Sequence, residues 1–457
     1  MKGELFGIVD LGVGLVWLLL ILFFAFRKRA RIADREDRRY FIPGVLFKLF
    51  FGVVFAAVYV LYYQGGDTVA YWEGAVNLNR LFWDNPSAYF EEMFTTPVHG
   101  MQFQRFNLHT GYPPSWIYRE PESWFVSKLI SILAFFTFNS YIAITLILSY
   151  LSALASWRLF ETVRSYSILS PLYTAIATLF IPTVAIWCSG ISKDTFIYIS
   201  LLFLVYRFFG IFSGKQKLSG YGACVIVFYL FILYHVRPFM LIAILPPLFL
   251  AFSSAIVRRM SDNKMLILVF RTVVGIVTLG VIAVYFQSQG SLGSLGPETY
   301  LEEAALIQQD FAQNHLYTGK RYDLGVTDYS LWGMIKTFPA ALIAAFYRPF
   351  LWESGSIFLM VSGIESMLFI FFTLKFVFSG GGVFRKIRLI RKNELLTFSL
   401  LFILIFGFSV GFTAILFGVL VRFKAPILPF LVIVLAAGRI KKDKAKAIIT
   451  KRNVPDL

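Results

Sequence analysis

The sequence predicts an all-α fold, a polytopic transmembrane helical bundle of about eleven spans with two large external loops that carry interfacial helices. Of the 457 residues, 58% are apolar or aromatic and 15% are charged. A soluble globular chain is nearer half apolar and a quarter charged. The apolar residues stand in long uninterrupted runs, and positive charge collects in alternate loops between them. These observations exclude a secreted enzyme, a cytosolic domain and a disordered scaffold.

The apolar runs define the spans, because a hydrocarbon core needs about 20 such residues per helix. The first run predicts a retained anchor rather than a signal peptide, since Asp10 interrupts it and a basic stretch follows it. Residues 1–457 form a single predicted integral-membrane domain. The predicted spans are 5–26, 41–63, 139–157, 168–187, 195–213, 219–235, 238–257, 265–286, 354–374, 395–419 and 421–438.

Charge predicts the orientation. Most Lys and Arg residues, and few of the acids, fall in the loops after spans one, three, five, seven and nine and in the tail 439–457. The positive-inside rule makes these segments cytoplasmic, so the N-terminus is external and the C-terminus is cytoplasmic. The net charge of +17 then reflects topology signals and contact with anionic membrane lipid, and nucleic acid is not expected as a partner.

Two external loops, 64–138 and 287–353, are much longer than the other connections. Each ends in an apolar stretch too short to cross, 125–138 and 331–347, which predicts an interfacial or re-entrant helix. One long helix over 125–157 with a kink at Asn139 is the alternative for the first loop. Loops of this length are usually functional, so the external side is the expected functional side.

Asp67 is the predicted catalytic residue. It follows span two directly and is preceded by Gly65 and Gly66, which allow a sharp backbone turn at the outer interface. A carboxylate held at that interface is a candidate general base. The alternative is a glycine turn in which Asp67 caps a helix that starts at Thr68. One aspartate is able to serve both purposes.

Charged residues at outer helix ends, against the positive-inside bias, predict a binding site. Five cations at one headgroup level suit an anionic group, and Arg matches phosphate oxygens bidentately. The alternatives are a tight turn with a Lys193–Asp194 ion pair, interface anchors at His235, Arg237 and Arg348, and anchors scattered around the bundle. The predicted substrate-binding residues are Lys193, Asp194, His235, Arg237, Arg348, Glu353, Arg422 and Lys424.

Glu365, within span nine, is either a functional group or a buried partner of Arg271 or another cation. Cys188 and Cys224 match no metal spacing, and the four histidines form no metal motif. No Walker or Rossmann glycine motif occurs. We therefore expect no metal and no cofactor.

The string GGDTVAYW resembles the first-loop acidic motif of the C-type (GT-C) superfamily of integral-membrane glycosyltransferases. It is also similar to the Asp-Thr/Tyr pattern of bacterial exopolysaccharide and O-antigen polymerases. The resemblance implies a multi-pass protein of the bacterial cytoplasmic (inner) membrane, with Asp67 as the acidic catalytic residue and the outer cations holding polyprenyl phosphate. Thr68 stands where many GT-C members carry a second acid, so the particular family and its metal requirement stay open.

The expected function is transfer of sugar from a polyprenyl-(di)phosphate-linked donor at the outer face, as an envelope glycosyltransferase or polysaccharide polymerase. A transporter or flippase of lipid-linked oligosaccharide is the alternative. It would use acids at mid-membrane depth, for which Glu365 and Asp10 are the candidates. A non-catalytic subunit of an envelope secretion machine needs the topology alone.

Overall fold

The computed structural model describes residues 5–96, 104–260, 319–326, 331–379 and 382–437, with five single residues between 261 and 318. Its described elements are helices, and the one isolated β-bridge among these residues pairs Arg321 with Leu416. In chain order they are α1 (Ile8–Ala30), α2 (Arg35–Ala57), α3 (Asp67–Asp84), α4 (Pro86–Phe94), α5 (Ser115–Arg119), α6 (Pro121–Phe136), α7 (Tyr141–Ser165), α8 (Pro171–Leu179), α9 (Pro182–Trp187), α10 (Lys193–Phe212), α11 (Gly220–Val236), α12 (Phe239–Met260), α13 (Leu331–Tyr347), α14 (Ile357–Phe378), α15 (Gly382–Ile390), α16 (Glu394–Thr413), α17 (Phe417–Lys424) and α18 (Leu428–Ala437). A π-helical turn, Val58–Tyr62, extends α2, and a 3₁₀ turn, Ala425–Ile427, joins α17 to α18.

Seven helical segments of the described chain are long and apolar enough to cross a membrane. They are α1, α2 with its π-helical turn, α7, α10, α14, α16 and the α17–α18 stretch Phe417–Ala437. Each overlaps one predicted span, with ends that differ by up to eight residues. The all-α class is therefore confirmed, and a multi-pass helical membrane protein is supported, while the count of eleven stays a prediction.

The other predicted spans differ from these. The span 168–187 is not one helix, because α8 ends at Leu179 and α9 begins at Pro182, which has no N–H to continue a helical ladder. The spans 219–235 and 238–257 correspond to α11, of 17 residues, and to α12, of 22 residues, which are not among these seven segments. The span 265–286 lies outside the continuously described residues.

Helices α3 to α6 build the predicted loop 64–138. The α3 and α6 helices pack closely at Gly74, where a Cβ atom would lie 2.8 Å from the Ser127 hydroxyl oxygen. The alternative of one long helix over 125–157 is wrong, since α6 ends at Phe136 and α7 begins at Tyr141. Phe138 and Asn139 between them have φ of 50° and 62°, a left-handed conformation that interrupts a right-handed helix.

The chain folds as two compact units. The first unit comprises Met1–Glu161, Thr178–Tyr206 and Ser219–Pro238. The second unit comprises Thr162–Ala177, Arg207–Leu218 and Phe239–Leu457. The assignment of residues 1–457 to a single integral-membrane domain stays a prediction.

Contacts within the first unit give the directions of its first long helices. Asp10, in the first turn of α1, accepts a hydrogen bond from the Ile142 amide at the start of α7. Lys28, in the last turn of α1, interacts electrostatically with Glu161 near the end of α7. The same Lys28 ammonium lies over the Phe41 ring, near the start of α2. Thus α1 and α7 run in the same direction, and α2 runs back.

The directions of α10 and α11 follow in the same way. Ser149, in α7, donates a hydrogen bond to the Ser189 carbonyl just before α10 begins. Arg158, nearer the end of α7, stacks over the Tyr206 ring, in the second half of α10. Helix α10 therefore runs with α7, and α11 runs back because its C-terminus meets the N-terminus of α10. These directions match the alternation predicted for spans one, two, three, five and six.

The first unit therefore has two ends. At one end, which we name the Asp10 end, α1, α7 and α10 begin and α2 and α11 end. The opposite one, where α1 and α7 end and α2 begins, is the Arg27 end. The predicted orientation makes the Asp10 end external and the Arg27 end cytoplasmic.

Candidate functional site at the Asp10 end

The glycine turn before Asp67 has the backbone that its sequence predicts. Gly66 has φ of 100°, and a Cβ atom there would lie 3.0 Å from the Tyr59 ring. Gly66 occupies the N-cap position and α3 begins at Asp67. The half-buried Asp67 carboxylate thus lies in the first turn of α3, where the helix dipole favours negative charge. The alternative of Asp67 as cap of a helix starting at Thr68 does not match this geometry.

Tyr71 lies one turn beyond Asp67 on the same face of α3, because residues four apart are neighbours on a helix. Its hydroxyl lies 3.4 Å from the Ser123 hydroxyl at the start of α6. Ser123 in turn donates a hydrogen bond to the Glu120 carboxylate. The face of α3 that carries Asp67 is therefore connected to the N-terminus of α6.

Lys193 joins this N-terminus to α10. Its ammonium lies 3.1 Å from a Glu120 carboxylate oxygen and 3.4 Å from a Glu122 carboxylate oxygen. The Lys193 side chain is 12% exposed, and the two glutamates are 50% and 40% exposed. The ammonium is thus largely covered by carboxylates that water still reaches.

Asp194 and Arg237 form a separate, buried ion pair. The Arg237 guanidinium donates to an Asp194 carboxylate oxygen at 3.0 Å, and the side chains are 7% and 0% exposed. Asp194 lies in the first turn of α10 and Arg237 is the C-cap residue of α11. Each charge has the sign that the dipole of its helix end favours. Lys193 and Asp194 therefore each have a partner from another part of the chain, which differs from a turn neutralised by their own pair.

Glu122 interacts electrostatically with both cations, Lys193 and Arg237. Partial burial raises the pKa of the Glu122 carboxyl, although Lys193 and Arg237 both oppose that rise. A carboxyl group with a raised pKa exchanges protons closer to neutral pH than an exposed one does. We name this connected set the Lys193 network: Tyr71, Ser123, Glu120, Glu122, Lys193, Asp194 and Arg237.

His235 lies beside the Lys193 network and packs α11 against α6. Its ring stacks on Phe125 with centroids 4.8 Å apart, and its Nδ1 lies 3.0 Å from the Phe231 carbonyl oxygen. This packing fits the interface-anchor alternative for His235.

Three of the other predicted binding residues meet within the second unit. The Arg348 guanidinium lies 3.6 Å from a Glu353 carboxylate oxygen and over the Tyr322 ring. The buried Lys424 ammonium donates to the Arg348 carbonyl at 2.6 Å and to the Ser366 hydroxyl at 3.3 Å. Arg348, Glu353 and Lys424 thus form one cluster. Arg422, two residues before Lys424, does not share its helix face.

Glu365 belongs to the same cluster, because it interacts electrostatically with Lys424. At 1.5 Å rise per residue, Glu365 lies about 12 Å along α14 and Lys424 about 10 Å along the stretch Phe417–Ala437. Lys424 is therefore inside a candidate span rather than at its first turn. In this contact Glu365 has a cation partner, as one of its two predicted roles requires. Arg271 lies outside the described residues.

The sequence reasoning did not single out Glu120, Glu122 or Ser123. One signal was available in the string REPES before the apolar stretch, because Pro at the first helical position flanked by acids marks a helix start. That start brings both glutamates to one helix N-terminus. Their pairing with Lys193 depends on the tertiary fold.

Among the described residues, no group of three His, Cys, Asp or Glu side chains is placed to hold a metal ion. The class that the fold defines is a polytopic helical membrane protein. No known protein-family model matches the chain, and it has no significant match to a curated protein or to a solved structure.

Proposed function

We propose that this protein is an envelope glycosyltransferase or polysaccharide polymerase that uses a polyprenyl-(di)phosphate-linked sugar donor at the Asp10 end. The observation that carries the proposal is the connection of the Asp67 face of α3, through Tyr71 and Ser123, to the Lys193 network. It supports a site with a candidate base on one side and a cation on the other.

In the proposed reaction, an acceptor hydroxyl oxygen bonds to the anomeric carbon of the donor sugar. The bond from that carbon to the phosphate oxygen breaks, and the phosphate leaves with the electron pair. The Asp67 carboxylate takes the hydroxyl proton, and Lys193 stabilises the departing phosphate. Glu122, with its raised pKa, is the second group that we expect to exchange protons.

Lys193 and Arg237 differ in the exposure of their carboxylate partners, and we assign them different roles. Lys193 has partners that are about half exposed, so a phosphate is able to replace them with little change in burial. Arg237 is held by a fully buried aspartate, and breaking a buried ion pair is strongly destabilising. We therefore assign phosphate contact to Lys193 and a positioning role to Arg237.

Asp67→Asn tests this proposal. The variant keeps the size of the side chain and removes its basicity, so membrane insertion stays normal and glycan production falls by about 10²–10⁴-fold, the usual contribution of general-base catalysis. Polyprenyl-linked sugar should accumulate, as measured by lipid analysis of cells. Glu73→Gln is the matched control, since Glu73 is a half-buried carboxylate on the same helix and should be silent. Full activity of Asp67→Asn would remove the transferase proposal.

The second candidate function is transport of lipid-linked oligosaccharide. It is favoured by the Glu365–Lys424 interaction at depth in α14 and α17, next to the 3₁₀ interruption at Ala425–Ile427. Charged groups beside broken helices are typical of transporter sites. Asp10 does not add to this case, because it lies in the first turn of α1 and caps the start of α7. If transport is the function, Glu365→Gln abolishes export while Asp67→Asn leaves it intact.

A further inference from the structure

A cavity of about 670 Å³ opens at the Arg27 end of the first unit. Its walls come from the last turn of α1, the connection to α2, and α7. It lies away from the Lys193 network, because α1 and α7 run side by side from Asp10 to this end. Its volume is within the range of about 300–1,000 Å³ usual for small-molecule sites.

Three cations line this cavity: Arg27, Lys28 and Arg31. No described residue forms an ion pair or side-chain hydrogen bond with the guanidinium of Arg27 or Arg31. The lone carboxylate in the wall, Glu161, is already engaged, since one oxygen accepts from the Trp157 indole at 2.8 Å and the other from Arg158 at 2.7 Å. The cavity wall therefore carries a net positive charge, which Glu161 offsets only in part.

An apolar stripe leads into the cavity along α1. Val16, Leu20 and Phe24 follow one another at four-residue spacing, so they share a helix face. They are 57%, 41% and 55% exposed, and Phe24 is part of the cavity wall. Lys28 continues the same row. A long apolar group lying along this stripe would bring an attached anionic group to Arg27, Lys28 and Arg31.

We propose that this cavity binds the phosphate headgroup of an anionic glycerophospholipid, with its acyl chains along the Val16–Phe24 stripe. Guanidinium groups match phosphate oxygens bidentately, and basic pockets at the cytoplasmic ends of membrane helices suit anionic headgroups. The exposed apolar stripe favours a lipid over a free phosphate ion, which has no apolar part to cover it.

The test uses the full-length protein in detergent, with phosphatidylglycerol, phosphatidylcholine and inorganic phosphate as separate probes. Native mass spectrometry counts retained lipid, and thermal unfolding measures stabilisation. The variant Arg27→Gln/Arg31→Gln removes two guanidinium groups from the wall. The matched control Arg29→Gln/Arg35→Gln removes the same charge from the same segment at exposed positions outside the wall.

We expect phosphatidylglycerol to bind and stabilise the wild type and the control. We expect its affinity for Arg27→Gln/Arg31→Gln to fall about tenfold or more, since the variant loses both guanidinium groups that would bind the phosphate oxygens. Arg27→Lys/Arg31→Lys keeps the charge but loses the bidentate geometry, so its affinity should lie between those of the wild type and the glutamine variant. Equal losses in the two glutamine variants would reduce the effect to general surface charge and overturn the proposal. Equal stabilisation by phosphatidylcholine or by inorganic phosphate would also overturn it.

Discussion

The buried ion pair of Arg237 and Asp194 supports a quantitative stability prediction. The side chains are 7% and 0% exposed, so neither charge reaches bulk water in the folded state. Replacing Arg237 by Met leaves the Asp194 carboxylate charged and buried. Removal of one partner from such a pair costs about 3–5 kcal/mol. We expect Arg237→Met to lower the free energy of unfolding by that amount.

Lys193 provides the comparison within the same network. Its partners, Glu120 and Glu122, are 50% and 40% exposed, so water solvates both carboxylates after Lys193→Met. Exposed ion pairs contribute about 0–1 kcal/mol. Arg237→Met and Lys193→Met, which alter two cations of one network, are therefore expected to differ several-fold in their effect on stability. Activity should fall in Lys193→Met even though its fold is stable.

The double variant Asp194→Asn/Arg237→Met separates pairing from packing. It removes both charges, so it should recover much of the loss seen in either single variant, with a coupling energy above about 2 kcal/mol. Unfolding of purified protein in mixed micelles, measured by chemical denaturation, gives all four values. Single losses below about 1 kcal/mol that simply add would refute the buried-pair reasoning.

Three further expectations concern topology, packing and pH. Reporter fusions after Phe90 should behave as external and those after Gly382 as cytoplasmic, and an external signal from the second would remove the eleven-span count. Gly411→Ala should cost about 1–3 kcal/mol, because its Cβ would clash with the backbone oxygen of Ala341 in α13. Gly418→Ala, whose Cβ would enter open space, should be neutral, and equal effects of the two variants in a thermal-unfolding assay would contradict this. Burial lowers the pKa of Lys128 from 10.5 to about 8, so between these pH values the unfolded chain binds this proton more tightly than the folded protein does. The stability of the wild type relative to Lys128→Met should therefore rise with pH across that window. A stability difference that does not change with pH would contradict this.

The membrane-length helices were predictable because hydropathy and length are local properties of the chain. The short stretch 331–347 was predicted as a helix and has the bounds of α13, Leu331–Tyr347. Its packing partner was not predicted. Gly407 and Gly411, four residues apart on α16, allow the backbone of α13 to approach closely, as small residues do between membrane helices. Two glycines at this spacing indicate a helix face on which another helix is able to pack closely, but they do not indicate which helix packs there.

The candidate site was predicted in part for the same reason. Asp67 and its two glycines form a local pattern, and the helix indeed begins there. The partners of Lys193 are nonlocal, since Glu122 is 71 residues away along the chain. The sequence offered a Lys193–Asp194 pair as one alternative. Which carboxylate meets which cation depends on the packing of α6 and α11 against α10.

Pairing also changes what the outer cations are able to do. The sequence gives Lys193 and Arg237 equal standing as phosphate ligands, because each is a cation at a predicted outer helix end. In the fold, Lys193 contacts two solvated carboxylates, whereas Arg237 is paired with the buried Asp194. An incoming phosphate replaces a solvated carboxylate at small cost, whereas it would have to desolvate fully to reach the buried pair. An anionic donor at the Asp10 end is therefore expected to contact Lys193, while the Arg237–Asp194 pair holds the ends of α10 and α11 around it.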